Sequence, residues 1–399
     1  MRARSGILVI DYDPFAEHVL DDPHPTYRRL REESPVHYLS RHETWALSRF
    51  EDVWRASEDN EHLTALRGTS WAYLVTRSIP ALPNLNHMDP PAQTALRAEL
   101  AAWFMPRRVR RLEPAIRACV RECMQDFEAE GRADVATQLG QRVAVRVACM
   151  AVGFPESDAA YIVDLVKRFL SREEGLEGMT QAGVEAFGEM IAYLEGLARE
   201  RRSYTGEAEH PLDVLIRAEV EGARLSDELI GQHLILLLVG GTETFPKVFC
   251  SAVLRLAQHP DQRAELVAEP ARIPQALREC LRYDTPTQFL MRSVKRDFEL
   301  GGQRLKEGQS VMFLYPSANR DGREFQEPDR FDIHRRSPRI LSFGHGVHRC
   351  LGGHFAEMEG KVLLEEVLAR FPDYRVDEKG IVHDRTEFIR GMAHLPIEF

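Results

Sequence analysis

Apolar residues recur at three- and four-residue spacing along much of the chain, the signature of helices that bury one face. The spacing predicts helices over Arg107–Glu130, Asp158–Leu170, Gln181–Arg201 and Gly360–Arg370. Ser226, followed by Asp227 and Glu228, marks a further helix start, with a capping hydroxyl and two anions in the first turn. Beyond it the chain is apolar on all sides from Leu234 to Val239. That pattern predicts one long helix from Asp227 past Leu256, crossing the interior. Strand signals are short: Thr44–Leu47, Phe298–Leu300 leading into Gly301-Gly302, and Ser310–Leu314. Pro80, Pro83, Pro90 and Pro91 break the periodicity and predict an irregular loop. The expected class is mainly α with small β-sheets.

Composition narrows the function. The 399 residues would permit two or three domains, but no repeat, low-complexity tract or linker divides them. With 52 basic and 62 acidic residues the net charge is −10, which argues against a nucleic-acid surface. The apolar run Leu234–Gly241 is too short to span a bilayer, and Met1–Asp13 carries no signal-like core. A soluble, cytoplasmic protein is expected. Six cysteines show no C-x-x-C pair or disulfide rhythm. Cys119, Cys123, Cys149, Cys250 and Cys280 read as small core residues in a reducing compartment.

The sixth needs another explanation. Phe343-Gly344-His345-Gly346-Val347-His348-Arg349-Cys350-Leu351-Gly352 frames one thiol with glycines that permit tight, left-handed backbone. The pattern after Cys350 is helical, so the sulfur sits near a helix N-terminus, where amides and the helix dipole favour a thiolate able to ligate iron. A zinc set of His345, His348 and Cys350 lacks a second, separated ligand cluster.

This segment resembles the haem-binding loop of the cytochrome P450 superfamily, F-G-x-G-x-H/R-x-C-x-G, at every fixed position. Three further motifs follow the family order. Glu279-Cys280-Leu281-Arg282 resembles its E-x-x-R. Ala318-Asn319-Arg320-Asp321 with Pro328-Asp329-Arg330-Phe331-Asp332 resembles its meander. Gly240-Gly241-Thr242-Glu243-Thr244 resembles the family's oxygen-binding helix segment. The soluble bacterial, camphor-hydroxylase-like class is the nearest match, and its resemblance spans the chain as a single haem domain, 1–399.

The resemblance implies haem b (iron protoporphyrin IX) held by Cys350, within the frame of Phe343, Gly344, Gly346 and Gly352. It implies propionate contacts from His348, Arg292 and Arg97, with Gln93 where relatives have histidine. It implies a structural network of Glu279, Arg282 and Arg330, with Arg335 as second choice for the third member. Gly240 and Gly241 would make room for dioxygen and substrate, although glycines in a helix also suit a close helix crossing. Thr244 and Glu243 resemble the alcohol–acid pair that delivers protons. Phe245 and Pro246 depart from the family pattern. Pro246 has no amide for the carbonyl of Thr242, so a kink is expected there.

By family position the substrate pocket would comprise Trp71, Tyr73, Leu74, Leu85, Val239, Gly240, Thr287, Gln288, Phe289 and Leu290, with Phe388–Met392 including Ile389 and Met392. These residues imply a small hydrophobic substrate; Arg77 or Arg390 would be the candidates for holding a carboxylate, with a surface position the preferred reading of each. The expected reaction is insertion of one oxygen atom from O2 into a C–H bond by a monomeric enzyme. About 400 residues leave no room for a fused reductase, so electrons would come from a ferredoxin and its NAD(P)H-dependent reductase. Arg107, Arg108, Arg110 and Arg111 read as a docking patch for that acidic partner, or as a solvated helix start. The competing functions are a peroxide-driven peroxygenase and a non-catalytic haem sensor. The Glu243–Thr244 pair argues against both.

Overall fold

Alternation along short apolar strands explains the main sheet. In the computed structural model, which describes residues 10–79, 82–173 and 175–399, these strands are β1 (Val36–Leu39), β2 (Thr44–Leu47), β3 (Leu63–Thr64), β4 (Phe289–Val294) and β5 (Ser310–Leu314). Their spatial order is β1-β2-β5-β4-β3. β5 runs parallel to β2, with Ser310 opposite Thr44, and antiparallel to β4, with Phe313 opposite Leu290. Successive side chains on a strand face opposite ways. Phe289 and Met291 therefore enter a core cluster with Trp71 and Met312, while Leu290 and Arg292 turn toward a central cavity.

The helices that build the site are α1 (Ala92–Ala101), α2 (Pro106–Gln125), α3 (Arg142–Val152), α4 (Ala159–Phe169), α5 (Gln181–Arg201), α6 (Asp227–Thr242), α7 (Thr244–Gln258), α8 (Ile273–Tyr283) and α9 (Gly353–Arg370). The predicted Arg107–Glu130 helix ends at Gln125, and a separate short turn, Glu128–Glu130, closes at left-handed Gly131 (φ 69°). The predicted Gly360–Arg370 helix starts seven residues earlier, because the glycines before it conceal the periodicity. Ser226 caps α6 through its hydroxyl, which accepts from the amide of Leu229 at 3.2 Å.

The single long helix expected from Asp227 is two helices. The break falls at Glu243 (φ −108°, ψ −44°), three residues before Pro246, where the missing amide and the proline ring disturb the preceding turn. Together 227–258 would be long and apolar enough to cross a membrane, but this stretch is largely buried in the protein. α6 packs on α5 and α3, and α9 packs on α2 and α8. Residues of both resulting core clusters line the cavity between them. Pro80 and residues 1–9 lie outside the described residues.

Candidate functional site

The loop around Cys350 is shaped by two left-handed glycines, Gly344 (φ 64°) and Gly346 (φ 69°). A side chain at Gly346 would also collide with the carbonyl oxygen of Ser57. The loop closes on itself where the Cys350 amide donates to the Phe343 carbonyl at 2.7 Å. Outer tethers fix its position. Asn319 Oδ1 accepts from the Leu341 amide at 2.8 Å, and His345 stacks on Trp54 with ring centroids 3.4 Å apart. From α1, Gln93 Nε2 donates to the Val347 carbonyl at 2.8 Å, and Arg97 donates to the Arg349 carbonyl.

Cys350 lies deep in the protein yet exposes surface, because its thiol faces a cavity of about 400 Å³. The other five cysteines are buried in the core. Burial pushes the Cys350 thiol up; the Gly352 amide, the charges of Arg97 and Arg349 and the Gly353 amide pull it back. Those amides open α9, so the expected helix-terminus environment is present but does not outweigh desolvation.

Three basic groups converge beside the thiol. Arg97, Arg292 and His348 all line the cavity, and among the described residues none forms an ion pair with an acid. Burial lowers the pKa of Arg292 and of Arg97. Burial, then Arg292 and Arg97, drives His348 down to about 3. Buried positive charge without an anion is costly, so this cluster fits a ligand carrying carboxylates. Gln93 is a correction: it is fully buried and does not line the cavity. It positions the loop, and its Oε1 has no partner.

The helix break sorts the Gly240–Thr244 motif. A Cβ on Gly240 would meet nothing within 4 Å, whereas one on Gly241 would lie 3.2 Å from Ala148 on α3. Gly240 thus leaves space in the cavity, and Gly241 permits the close crossing with α3. The Thr244 hydroxyl donates to the Gly240 carbonyl at 3.2 Å and lines the cavity. Glu243 points elsewhere, into a second chamber of about 310 Å³ shared with Pro246, Lys247 and Asp384. Lys247 Nζ lies 3.5 Å from Glu243 and 2.9 Å from Asp384. Burial raises the Glu243 pKa against the pull of Lys247.

Of the expected pocket residues, Trp71, Tyr73, Leu85, Val239, Gly240, Thr287, Leu290 and Ile389 line the cavity. Four do not. Phe289 belongs to the opposite face of β4, and Leu74 packs against the same cluster. Gln288 is buried, donating to the carbonyls of Thr285 and Pro286, and Met392 lines the second chamber. Arg390 is spent on the carbonyls of Leu20 and Asp21, and Arg77 is exposed. Sequence reasoning missed Arg172, Glu387 and His87 on the cavity wall. It also missed Glu359, a buried carboxyl with an unpartnered Oε1 and a strongly raised pKa. No local pattern marks any of them.

The structural network requires a second correction. Glu279 accepts from Nε and Nη2 of Arg282, at 2.7 Å each, with both side chains buried. The third member is Arg335, whose Nε donates to Glu279 at 3.1 Å. The Arg330 side chain is exposed beside Glu327, and only its carbonyl joins the network, accepting from Arg282 and Arg335. The meander turns back on itself after Arg330, which brings the residue five positions later to the carboxylate. On α2, Arg107, Arg110 and Arg111 are exposed. Arg108 lies over the Trp103 ring at 3.4 Å and donates to the Glu209 carbonyl at 3.2 Å.

Known proteins resemble this chain in sequence and fold. Residues 175–388 match the family model "Cytochrome P450". A Mycobacterium tuberculosis protein described as putative cytochrome P450 123 is 35% identical over all of this chain and 99% of its own length. The crystal structure of CalO2 superposes with a TM-score of 0.86 at 31% identity, covering 98% of this chain and 99% of that one. CYP109E1 from Bacillus megaterium, solved in complex with testosterone, gives 0.87 at 26% identity, covering 96% and 99%.

Proposed function

The chain belongs to the cytochrome P450 family, the haem-thiolate monooxygenases, and from that premise we propose that it hydroxylates a small hydrophobic molecule using electrons from an external ferredoxin and its reductase. The observation that carries this is the convergence of one thiol and three unpaired basic groups on a single apolar-walled cavity. Bound through Cys350, haem b supplies activation of O2 and transfer of one oxygen atom to the substrate. Arg97, Arg292 and His348 would hold its propionates.

The chain's own residues then set access and protons. Gly240 keeps the helix wall of the cavity open, and Val239, Leu290 and Ile389 exclude water from an apolar substrate. Thr244 holds a hydroxyl proton at the cavity wall. Glu243, with its raised pKa, exchanges protons with the second chamber. Exposed Arg107, Arg110 and Arg111 offer an acidic ferredoxin a docking surface, with Arg108 restrained by Trp103. We treat 1–399 as one haem domain working as a cytoplasmic monomer. Support for a hydrophobic substrate comes from the apolar lining and from the testosterone bound by CYP109E1.

The deciding experiment measures product formed per NAD(P)H with a [2Fe-2S] ferredoxin and reductase, against hydrogen peroxide alone, for the parent enzyme and Thr244→Ala. The expected result is turnover with the redox partners, and for Thr244→Ala an intact haem with electrons diverted into peroxide. Turnover only with added peroxide, insensitive to Thr244, would replace this reading by the peroxygenase one.

A further inference from the structure

One ion pair stands apart on the cavity wall. Arg97, Arg292 and Arg349 gather at the Cys350 loop, and Glu359 lies on the helix that follows it. Elsewhere on the wall, among the described residues, the charged side chains are Arg172 and Glu387. Arg172 follows α4, and Glu387 lies in the C-terminal loop beside Phe388 and Ile389. They form a two-point contact: Nε donates to one carboxylate oxygen at 3.0 Å and Nη2 to the other at 3.2 Å. The third guanidinium nitrogen, Nη1, donates to the Ser171 carbonyl at 3.0 Å. The side chains are 15% and 5% exposed, so the pair sits in a low-dielectric wall.

Each terminal nitrogen of a guanidinium carries two protons, and one bond per nitrogen leaves two donors over. Arg172 can therefore still bond to a substrate oxygen, but its charge is already neutralised by Glu387. The neighbouring chamber adds no free buried cation, since Lys247 lies between Glu243 and Asp384 and Lys167 is exposed. A carboxylate entering this wall would be desolvated beside Glu387, and the unpaired cation of the neighbouring chamber, Lys167, is solvent-exposed, where water screens its charge. A carbonyl or hydroxyl oxygen would accept from Arg172 without that penalty.

We propose that Glu387, by occupying Arg172, selects the substrate class: apolar molecules bearing a neutral hydrogen-bond acceptor are taken and carboxylates of the same skeleton are refused. Selectivity thus comes partly from a repulsive element on the wall. The inference rests on the P450 reading, because the cavity is taken as the substrate site of a haem-bound enzyme.

The test uses the haem-loaded protein and a series of ω-(imidazol-1-yl)alkanoic acids of increasing chain length with their methyl esters. The imidazole anchors each probe at the iron and reports binding as a Soret shift. In the parent protein the best ester should bind about tenfold or more tighter than its acid at neutral pH. Glu387→Gln, which keeps the shape and removes the charge, should abolish or invert that ratio by strengthening acid binding. Arg172→Gln should weaken both probes and leave the acid no better.

Opposite effects of the two variants on acid binding separate charge selection from a loosened loop, since breaking the pair from either side would loosen the loop alike. Equal ester-to-acid ratios in the parent and in Glu387→Gln would overturn the proposal. Failure of 4-phenylimidazole to shift the Soret band at all would instead remove the haem reading beneath it.

Discussion

Two groups of buried and half-buried arginines in this protein differ in one respect. Arg282 and Arg335 meet their anion, Glu279, within the chain. Arg292 is buried and Arg97 half-buried beside His348, and among the described residues neither forms an ion pair with an acid, Asp89 acting on Arg292 only from a distance. The first group is complete when the chain has folded, and it braces the meander behind the Cys350 loop. The second is complete only when something else brings the negative charge. Burial of charge without a partner, more than the residue type, distinguishes a binding site from a brace.

The contrast predicts a graded series of effects. Glu279→Ala should be the most damaging, leaving two buried guanidinium groups unpaired at a cost of about 3–5 kcal/mol. Urea unfolding should show this loss with and without haem; a variant as stable as the parent would break the comparison at its paired end.

Glu366 extends the paired group. Burial alone would raise its pKa, but Arg121, Arg117 and Arg370 bring it down to about 2. A carboxylate whose folded pKa is depressed stabilises the fold above its unfolded value, and that contribution is lost as pH falls through the folded one. Stability should therefore drop between about pH 4.5 and pH 2, by about 2–3 kcal/mol from this group. Glu366→Gln should be less stable at neutral pH and flatter across that window. An unchanged acid limb would show that the arginines do not act through Glu366.

On the unpaired side the sign changes with the cofactor. Arg292→Met should weaken haem retention by about 2 kcal/mol, the worth of a charged hydrogen bond, measured by transfer of haem to a competing globin. The haem-free protein should melt no lower, because an uncompensated buried charge has gone. A fall in apoprotein stability would place Arg292 with the braces. The smallest effect belongs to Arg330→Ala, within about 0.5 kcal/mol, since its exposed side chain only faces Glu327. Arg335→Ala should cost several times more by the same urea measurement, and equal losses would refute the reassignment of the network.

Much of this architecture is legible in the linear chain. Gln181–Arg201, Thr44–Leu47 and Ser310–Leu314 have the predicted bounds because their burial period is local and uninterrupted. Gly344 and Gly346 announce their left-handed turns, since few other residues tolerate them. Legibility fails where neighbours decide. The long central helix is divided by Pro246 at a residue that periodicity cannot single out. Phe289 is placed by the facing of β4, which depends on its pairing with β5, and Gln288 by its bonds to the Thr285, Pro286 and Phe388 carbonyls. Arg330 and Arg335 are equivalent in composition and differ only in where the meander folds back.

The chain alone therefore determined the fold class and the thiol in its glycine frame, which depend on backbone preference and on spacing within a few residues. The basic groups and the alcohol beside Gly240 were singled out only by family resemblance. Tertiary structure decided which charges are neutralised. It brought Arg335 to Glu279 across 56 positions and Arg172 to Glu387 across 215, turned Glu243 into a second chamber, and left Arg97 and Arg292 with no ion pair among the described residues. Charge compensation is a property of distance in space, and sequence separation carries almost no information about it.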